Sequence, residues 1–206
     1  MSDTESFFGD PDPIFADKEL LRVSHLPEGD RIIGRDEELT NLANAIKDAQ
    51  RGGTPNNVLI YGKTGTGKSL CSKYITQDLT EAAAENDVHV DVAYIDCFQD
   101  STETQAIRTI AESFNDPDVT DVKIPASGVS TSDYYRRLWK ILDLRLDVGI
   151  IILDEIDKLD DDNVLMQLSR AAEAGKVEDS TLGIIGISNK IRYKETLNER
   201  VKSSLS

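Results

Sequence analysis

The sequence predicts an α/β fold, a parallel sheet with helices on both faces, and two observations carry that prediction. Short apolar runs alternate with stretches of helical periodicity along most of the chain. Polar motifs stand at the C-terminal ends of several of those runs, where ligands of such sheets bind. With 206 residues and 39% hydrophobic content, the chain can bury a real core as one domain.

The elements follow in order. Residues 1–13, rich in Asp, Ser, Gly and Pro, read as a disordered acidic leader, and residues 14–206 as a single core. Asp36 is expected to cap an amphipathic helix whose apolar positions are Leu39, Leu42, Ala43 and Ile46. Gly52, Gly53 and Pro55 break that helix before a buried strand, Val58-Leu59-Ile60-Tyr61. A helix runs from Leu70 to Leu79, then a strand from His89 to Asp96, then a helix from about Thr102 to Phe114. The polar stretch from Asn115 to Gly128, with Pro117 and Pro125, reads as a loop. Ser132 is expected to cap a helix from Asp133 to Leu146, with Tyr135, Leu138, Trp139 and Leu142 facing inward. Ile150 to Leu153 is apolar without alternation, as a strand buried on both faces would be. A helix near Asn163 to Glu173 and a strand from Leu182 to Ile187, ending at Ser188-Asn189, complete the series.

Two of the motifs carry chemistry. Gly62-Lys63-Thr64-Gly65-Thr66-Gly67-Lys68-Ser69 matches the phosphate-binding pattern G-x-x-x-x-G-K-[ST], between a strand and a helix as that loop requires. Its glycines turn backbone N–H groups inward around phosphate oxygens, and the helix that opens near Leu70 adds favourable dipole. Residues Gly62 to Leu70 are therefore the expected nucleotide-binding stretch, with Lys68 on the β- and γ-phosphates and Ser69 on magnesium. The strand Ile150–Leu153 delivers Asp154 and Glu155 at its end. Asp154 is expected to hold Mg²⁺, directly or through water, and Glu155 to polarise the attacking water. ATP/ADP and Mg²⁺ are the implied cofactors.

Composition bounds the rest. No apolar stretch approaches ~18 residues, so neither a membrane-spanning helix nor a membrane partner is expected. The N-terminus is acidic and polar, unlike a secretion signal. Two cysteines, Cys71 and Cys97, and two histidines form no ligand cluster, and both thiols read as small buried groups of a reducing compartment. The expected location is cytoplasmic. The net charge of −15 excludes little by itself. It fits a protein that avoids nucleic acid or, as the favoured reading, adaptation to a salt-rich cytoplasm, where dense carboxylates hold water and salt screens their repulsion. The acidic run from Asp157 to Asp162 reads as solvated surface.

Asn189, at the end of a strand after Asp154-Glu155, resembles the sensor 1 position of AAA+ ATPases. The segment Ile32-Ile33-Gly34-Arg35-Asp36-Glu37-Glu38-Leu39 resembles the stretch that precedes the phosphate loop in that family. Asn198 to Leu205, and Lys123 to Ser130 ahead of the Tyr135 helix, are similar to segments of archaeal replication initiators. These initiators are the family related to origin recognition complex subunit one and cell division control protein six. The resemblance runs from about Ile14 to the C-terminus. It implies a P-loop AAA+ three-layer sandwich, with Asn189 orienting the attacking water and Ile33, Gly34 and Arg35 near the adenine. It implies Arg200 as an arginine finger acting on ATP held by a neighbouring subunit. It also implies double-stranded origin DNA, other initiator subunits and the replicative helicase as partners. Weak DNA contact is expected around Lys123 and Arg136-Arg137. Initiators continue into a further strand, a helical lid and a winged-helix domain, which a chain ending at Ser206 is expected to lack. The strand Val58–Tyr61 is then expected to be a sheet edge. Two other readings stay open: a non-enzymatic interaction module acting on full-length initiators, and an AAA+ helicase loader or remodeller.

Overall fold

Side chains that alternate between two buried faces build the sheet. The computed structural model describes residues 34–205, so the expected leader and Ile33 lie outside the described residues. Strands β1 (Val58–Tyr61), β2 (Val90–Asp96), β3 (Val148–Asp154) and β4 (Thr181–Ser188) form one sheet in the order β1-β4-β3-β2. Every pairing is parallel. The central strand β3 is buried along its apolar length, as the run Ile150–Leu153 predicts.

The two faces serve two cores. Ile150 and Ile152 of β3, with Ile185 and Ile187 of β4, meet helices α1 (Asp36–Ile46) and α2 (Lys68–Ala84). Ile151 and Leu153 point the other way, to α3 (Glu103–Phe114), α5 (Thr131–Arg145) and α6 (Asn163–Ser169). The result is the expected three-layer sandwich. Tyr135, Leu138, Trp139 and Leu142 of α5 are all buried, and the rings of Tyr135 and Trp139 stack at 5.7 Å between centroids. Strand β1 pairs with β4 alone among the described residues, so it lies at the edge as expected.

Several boundaries differ from the sequence expectation. The α5 cap is Ser130, not Ser132, because Ser130 and Asp133 have the spacing of a reciprocal capping box and both bonds form. Arg35 takes the N-cap place of α1 without a side-chain bond, so Asp36 is its first helical residue. Helix α6 stops at Ser169, short of Glu173, and the chain continues in turns such as Ala171 N–H to Leu168 O, 3.2 Å. The expected loop after Asn115 contains a single helical turn, α4 (Pro117–Thr120), started by Asp116 accepting from the Asp118 N–H. Two short helices, α7 (Tyr193–Thr196) and α8 (Glu199–Lys202), follow β4. Among the described residues, no helix is long and apolar enough to cross a membrane.

One half-buried anchor sets where β4 begins. The Asp143 carboxylate of α5 accepts from the backbone N–H groups of Glu178, Asp179 and Ser180 at 3.1–3.2 Å, and from the Ser180 hydroxyl at 2.9 Å. Removing it leaves those donors to water or to nothing, and bonds to a charged acceptor contribute more than neutral ones. Asp143→Ala is expected to cost about 2 kcal/mol in urea unfolding. Asp143→Asn, which keeps one acceptor oxygen, should recover roughly half of that. Equal stability of all three proteins would show that the turn needs no anchor.

Candidate functional site

Because all four strands run the same way, their C-terminal ends share one rim of the sheet. The strand order then decides who meets whom. β4 lies between β1 and β3, so the residue that follows β4 stands between the loop that follows β1 and the acids that end β3. That residue is Asn189.

The loop and Asn189 form a continuous hydrogen-bonded chain with Glu155. Lys68 Nζ donates to Gly62 O at 3.0 Å, Lys63 O at 2.9 Å and Asn189 Oδ1 at 2.9 Å. Asn189 Nδ2 donates to Glu155 Oε1 at 3.1 Å. An ammonium donates only and a carboxylate accepts only, so this arrangement fixes which way the carboxamide points. The Gly62 N–H donates to Ser188 O at 3.2 Å, which ties the start of the loop to the end of β4.

The loop has the form of an anion cradle. Gly65 and Gly67 have φ of 77° and 82°, left-handed values that a side chain would strain. Helix α2 opens directly behind the loop, and its N-cap residue Gly67 supplies no side-chain bond to the first N–H groups of the helix. A cavity of about 530 Å³ opens beside them. It is lined by residues 64–70, by Asp154, Glu155 and Asn189, and by Tyr94, Asp96 and Phe98 from the end of β2. Every nucleotide-site residue expected from Thr64 to Leu70 therefore lines it.

Ser69 and Asp154 both line this cavity, and no group of three or more His, Cys, Asp or Glu side chains able to hold a metal occurs among the described residues. A sparse donor set of one hydroxyl and one carboxylate fits magnesium, which takes few protein ligands and completes its shell with water and phosphate. Asp154 Oδ1 accepts from the Glu155 N–H at 2.9 Å, and Oδ2 from the Tyr94 hydroxyl. Burial, then the Asp154 carboxylate, pushes the Tyr94 phenol well above its ordinary range, so it stays a donor. Lys73 Nζ sits 3.8 Å above the Tyr94 ring and holds its other side.

Tyr94 and Asp157 escape a reading of motifs. Tyr94 stands two residues before the end of β2 on the same face as Asp96, a parity visible once the strand is placed. Asp157 corrects an expectation outright. It is not solvated surface, since its side chain is 3% exposed and faces the end of β4. Burial opposes its ionisation, but bonds from the Asn189 N–H and Ser188 hydroxyl, with the Lys190 ammonium, hold its carboxyl below the usual range.

Other expected residues stand apart. Arg35 lines a second cavity of about 590 Å³ between α1 and β1, which shares Thr66 and Lys68 with the first, and it pairs with Glu38 at 2.7 Å. Gly34 has φ of 72° and does not line either cavity. Arg200 is exposed on α8, and its guanidinium bonds no described residue. Arg137 donates to Lys123 O and Arg136 pairs with Asp133, so both expected DNA-contacting arginines have partners inside the chain. Cys71 and Cys97 are free and buried, as expected, and burial with the Asp96 and Asp154 charges pushes the Cys97 thiol up to about 12.

Comparison with known proteins agrees with this geometry. A family model described as AAA domain matches residues 50–187. ORC1-type DNA replication protein 2 of Halobacterium salinarum is 56% identical over 191 residues, which cover 93% of this chain and 72% of that protein. The chain belongs to the ORC1-type DNA replication proteins, within the AAA family. ORC1-type DNA replication protein 4 of the same organism is also 56% identical over 191 residues, covering 93% of this chain but 46% of its own length. The chain spans about half the length of several other curated ORC1-type relatives, between 45% and 47%. Among solved structures, the Aeropyrum pernix ORC1 protein in complex with DNA superposes with a TM-score of 0.78 at 30% identity. That match covers 92% of this chain and 47% of the other. Membership in this family and the sandwich architecture are thus both established, and both match the sequence expectation.

Proposed function

We propose that this chain binds ATP with magnesium and hydrolyses it slowly, as the nucleotide-switched core of a replication initiator. The observation that carries the reading is the chain of bonds from Lys68 through Asn189 to Glu155 along one wall of the phosphate cavity. Catalysis of phosphoryl transfer is mostly positioning and charge stabilisation, and this arrangement offers both.

In this reading the loop N–H groups and Lys68 hold the phosphates. Ser69 and Asp154 would hold a magnesium ion that neutralises charge on the phosphate oxygens. Tyr94 keeps the Asp154 carboxylate oriented. Glu155 accepts the proton of the attacking water, and Asn189 fixes the Glu155 carboxylate. Gly34, Arg35 and the second cavity are assigned to the adenine side, because that cavity opens onto the loop at Thr66 and Lys68. The free guanidinium of Arg200 is assigned to ATP on a neighbouring initiator subunit. Double-stranded origin DNA and the replicative helicase are the further partners of the proposal, and the DNA named with the Aeropyrum pernix ORC1 structure supports the first. The net charge of −15 supports work in a salt-rich cytoplasm.

Thermal unfolding in molar potassium chloride, with and without Mg-ATP, tests the reading. Ligand at about 100 times its dissociation constant should stabilise the wild type by roughly 2.7 kcal/mol. Lys68→Ala, which loses the cation at the phosphates, should show no such gain. A cooperatively unfolding wild type with no Mg-ATP shift overturns the proposal and favours an interaction module.

A further inference from the structure

Asp157 poses a physical question that the nucleotide site alone does not answer. A carboxylate taken out of water loses solvation that only good hydrogen bonds return, and a packed apolar residue would often serve the fold as well. This one lies in the 3-10 turn Ile156–Lys158, three residues beyond Asp154, with its side chain 3% exposed. It does not line the phosphate cavity.

All of its bonds converge on the end of β4. Oδ1 accepts from the Ser188 hydroxyl at 3.0 Å and from the Asn189 backbone N–H at 3.2 Å. The same Ser188 hydroxyl accepts from the Lys190 N–H at 3.0 Å, so three consecutive residues hang on this carboxylate. Lys190 Nζ stands 3.5 Å from Oδ2, but the lysine side chain is 63% exposed, and such a pair contributes little. The hydrogen bonds, not the ion pair, are therefore the reason for the charge.

What they hold is the backbone from which the Asn189 carboxamide reaches Lys68 on one side and Glu155 on the other. Without an anchor the peptide after β4 would be free to rotate, and the carboxamide would lose one partner or both. We propose that Asp157 is a positioning residue of the hydrolytic site, acting through Asn189. The proposal rests on the hydrolytic reading above and adds to it a residue that touches neither nucleotide nor water. Misplacement by about 1 Å at such a site costs up to ~10²-fold in rate.

The test compares wild type, Asp157→Ala, Asp157→Asn, Asn189→Ala and the double variant Asp157→Ala/Asn189→Ala. Asp157→Ala is expected to lower kcat about 10- to 100-fold with less than about 3-fold change in ATP affinity. Asp157→Asn, whose oxygen can accept both bonds, should stay close to wild type. The double variant should be no slower than Asn189→Ala, because the anchor has nothing left to position. Multiplying effects in the double variant, an unchanged kcat in Asp157→Ala, or no rescue by Asn would each overturn the proposal. The Asn189 side-chain amide resonance, assigned by its loss in Asn189→Ala, gives a readout independent of turnover. It should be protected from exchange in wild type and Asp157→Asn, and unprotected in Asp157→Ala. If wild-type turnover does not exceed that of Lys68→Ala, hydrolysis is the reading that fails, and the resonance still decides whether Asp157 holds Asn189. Equal protection in all of the Asp157 proteins would refute the positioning role.

Discussion

Glu155→Gln is expected to lower ATP turnover by about 10²- to 10⁴-fold, the range a positioned general base contributes. The substitution is nearly isosteric and changes one property, the ability to take a proton from water. Gln keeps an oxygen where Glu155 Oε1 now accepts from Asn189 Nδ2 at 3.1 Å, so the bond chain to Lys68 stays whole. The loop N–H groups, Lys68 and Ser69 are untouched, and ATP affinity should move by less than about 3-fold. Phosphate release in single-turnover conditions, beside titration of a fluorescent ATP analogue, separates the two quantities. Equal single-turnover rates in wild type and variant would remove Glu155 from the chemistry.

The largest effect on stability is expected at Leu142, which is fully buried on the inner face of α5. Its Cδ2 atom lies 3.0 Å from where a side chain would begin at Gly149 of β3, with Leu182 Cδ1 at 3.1 Å and Phe114 Cζ at 3.4 Å around the same point. Three large side chains thus close over a glycine that gives them room. Leu142→Ala removes one of them and is expected to cost about 2–5 kcal/mol, the transfer term plus the cavity left behind. Gly149→Ala alone overfills the same spot and should cost about 1–3 kcal/mol. Combined, the two should cost less than their sum, because the new methyl occupies part of the space that Leu142 vacated. Denaturant unfolding of the four proteins measures the coupling. Strict additivity would mean that the Leu142 side chain and a methyl at position 149 do not share that space.

Much of this was legible in the residues, for identifiable reasons. Ile150–Leu153 carries its assignment because only a strand covered on both faces dispenses with alternation, and β3 is such a strand. The phosphate loop and the Asp154-Glu155 pair were readable because their chemistry demands particular residue types at fixed spacing. The strand order, which brings Asn189 between them, is carried by the fold as a whole and by no spacing in the sequence.

The misses have local causes. Ser130, Thr131 and Ser132 offer three hydroxyls in a row as the cap of α5, and the reciprocal partner at Asp133 selects Ser130. Asp157 was hidden by its company. In a chain with 38 acidic residues, one more in an acidic run looks like hydration, and only the turn geometry reveals that it points inward. Tyr94 carries no motif, and its part depends on the cross-strand neighbourhood of β2 and β3. Helix α6 ends earlier than its apolar pattern, and nothing in residues 170–173 announces the change.

Glu155 also occupies a backbone conformation, φ 51° and ψ 41°, that suits glycine far better than a side chain with a Cβ. Residues in that region typically cost about 1–2 kcal/mol. The fold bears this tension at the position where the proposed chemistry requires a carboxylate, immediately after the last residue of its central strand. Durability and reactivity therefore pull in opposite directions at a single codon. A breeder of heat-resistant variants who screened for melting point alone would be led toward glycine there, and would harvest a sturdier protein with nothing left to take the proton.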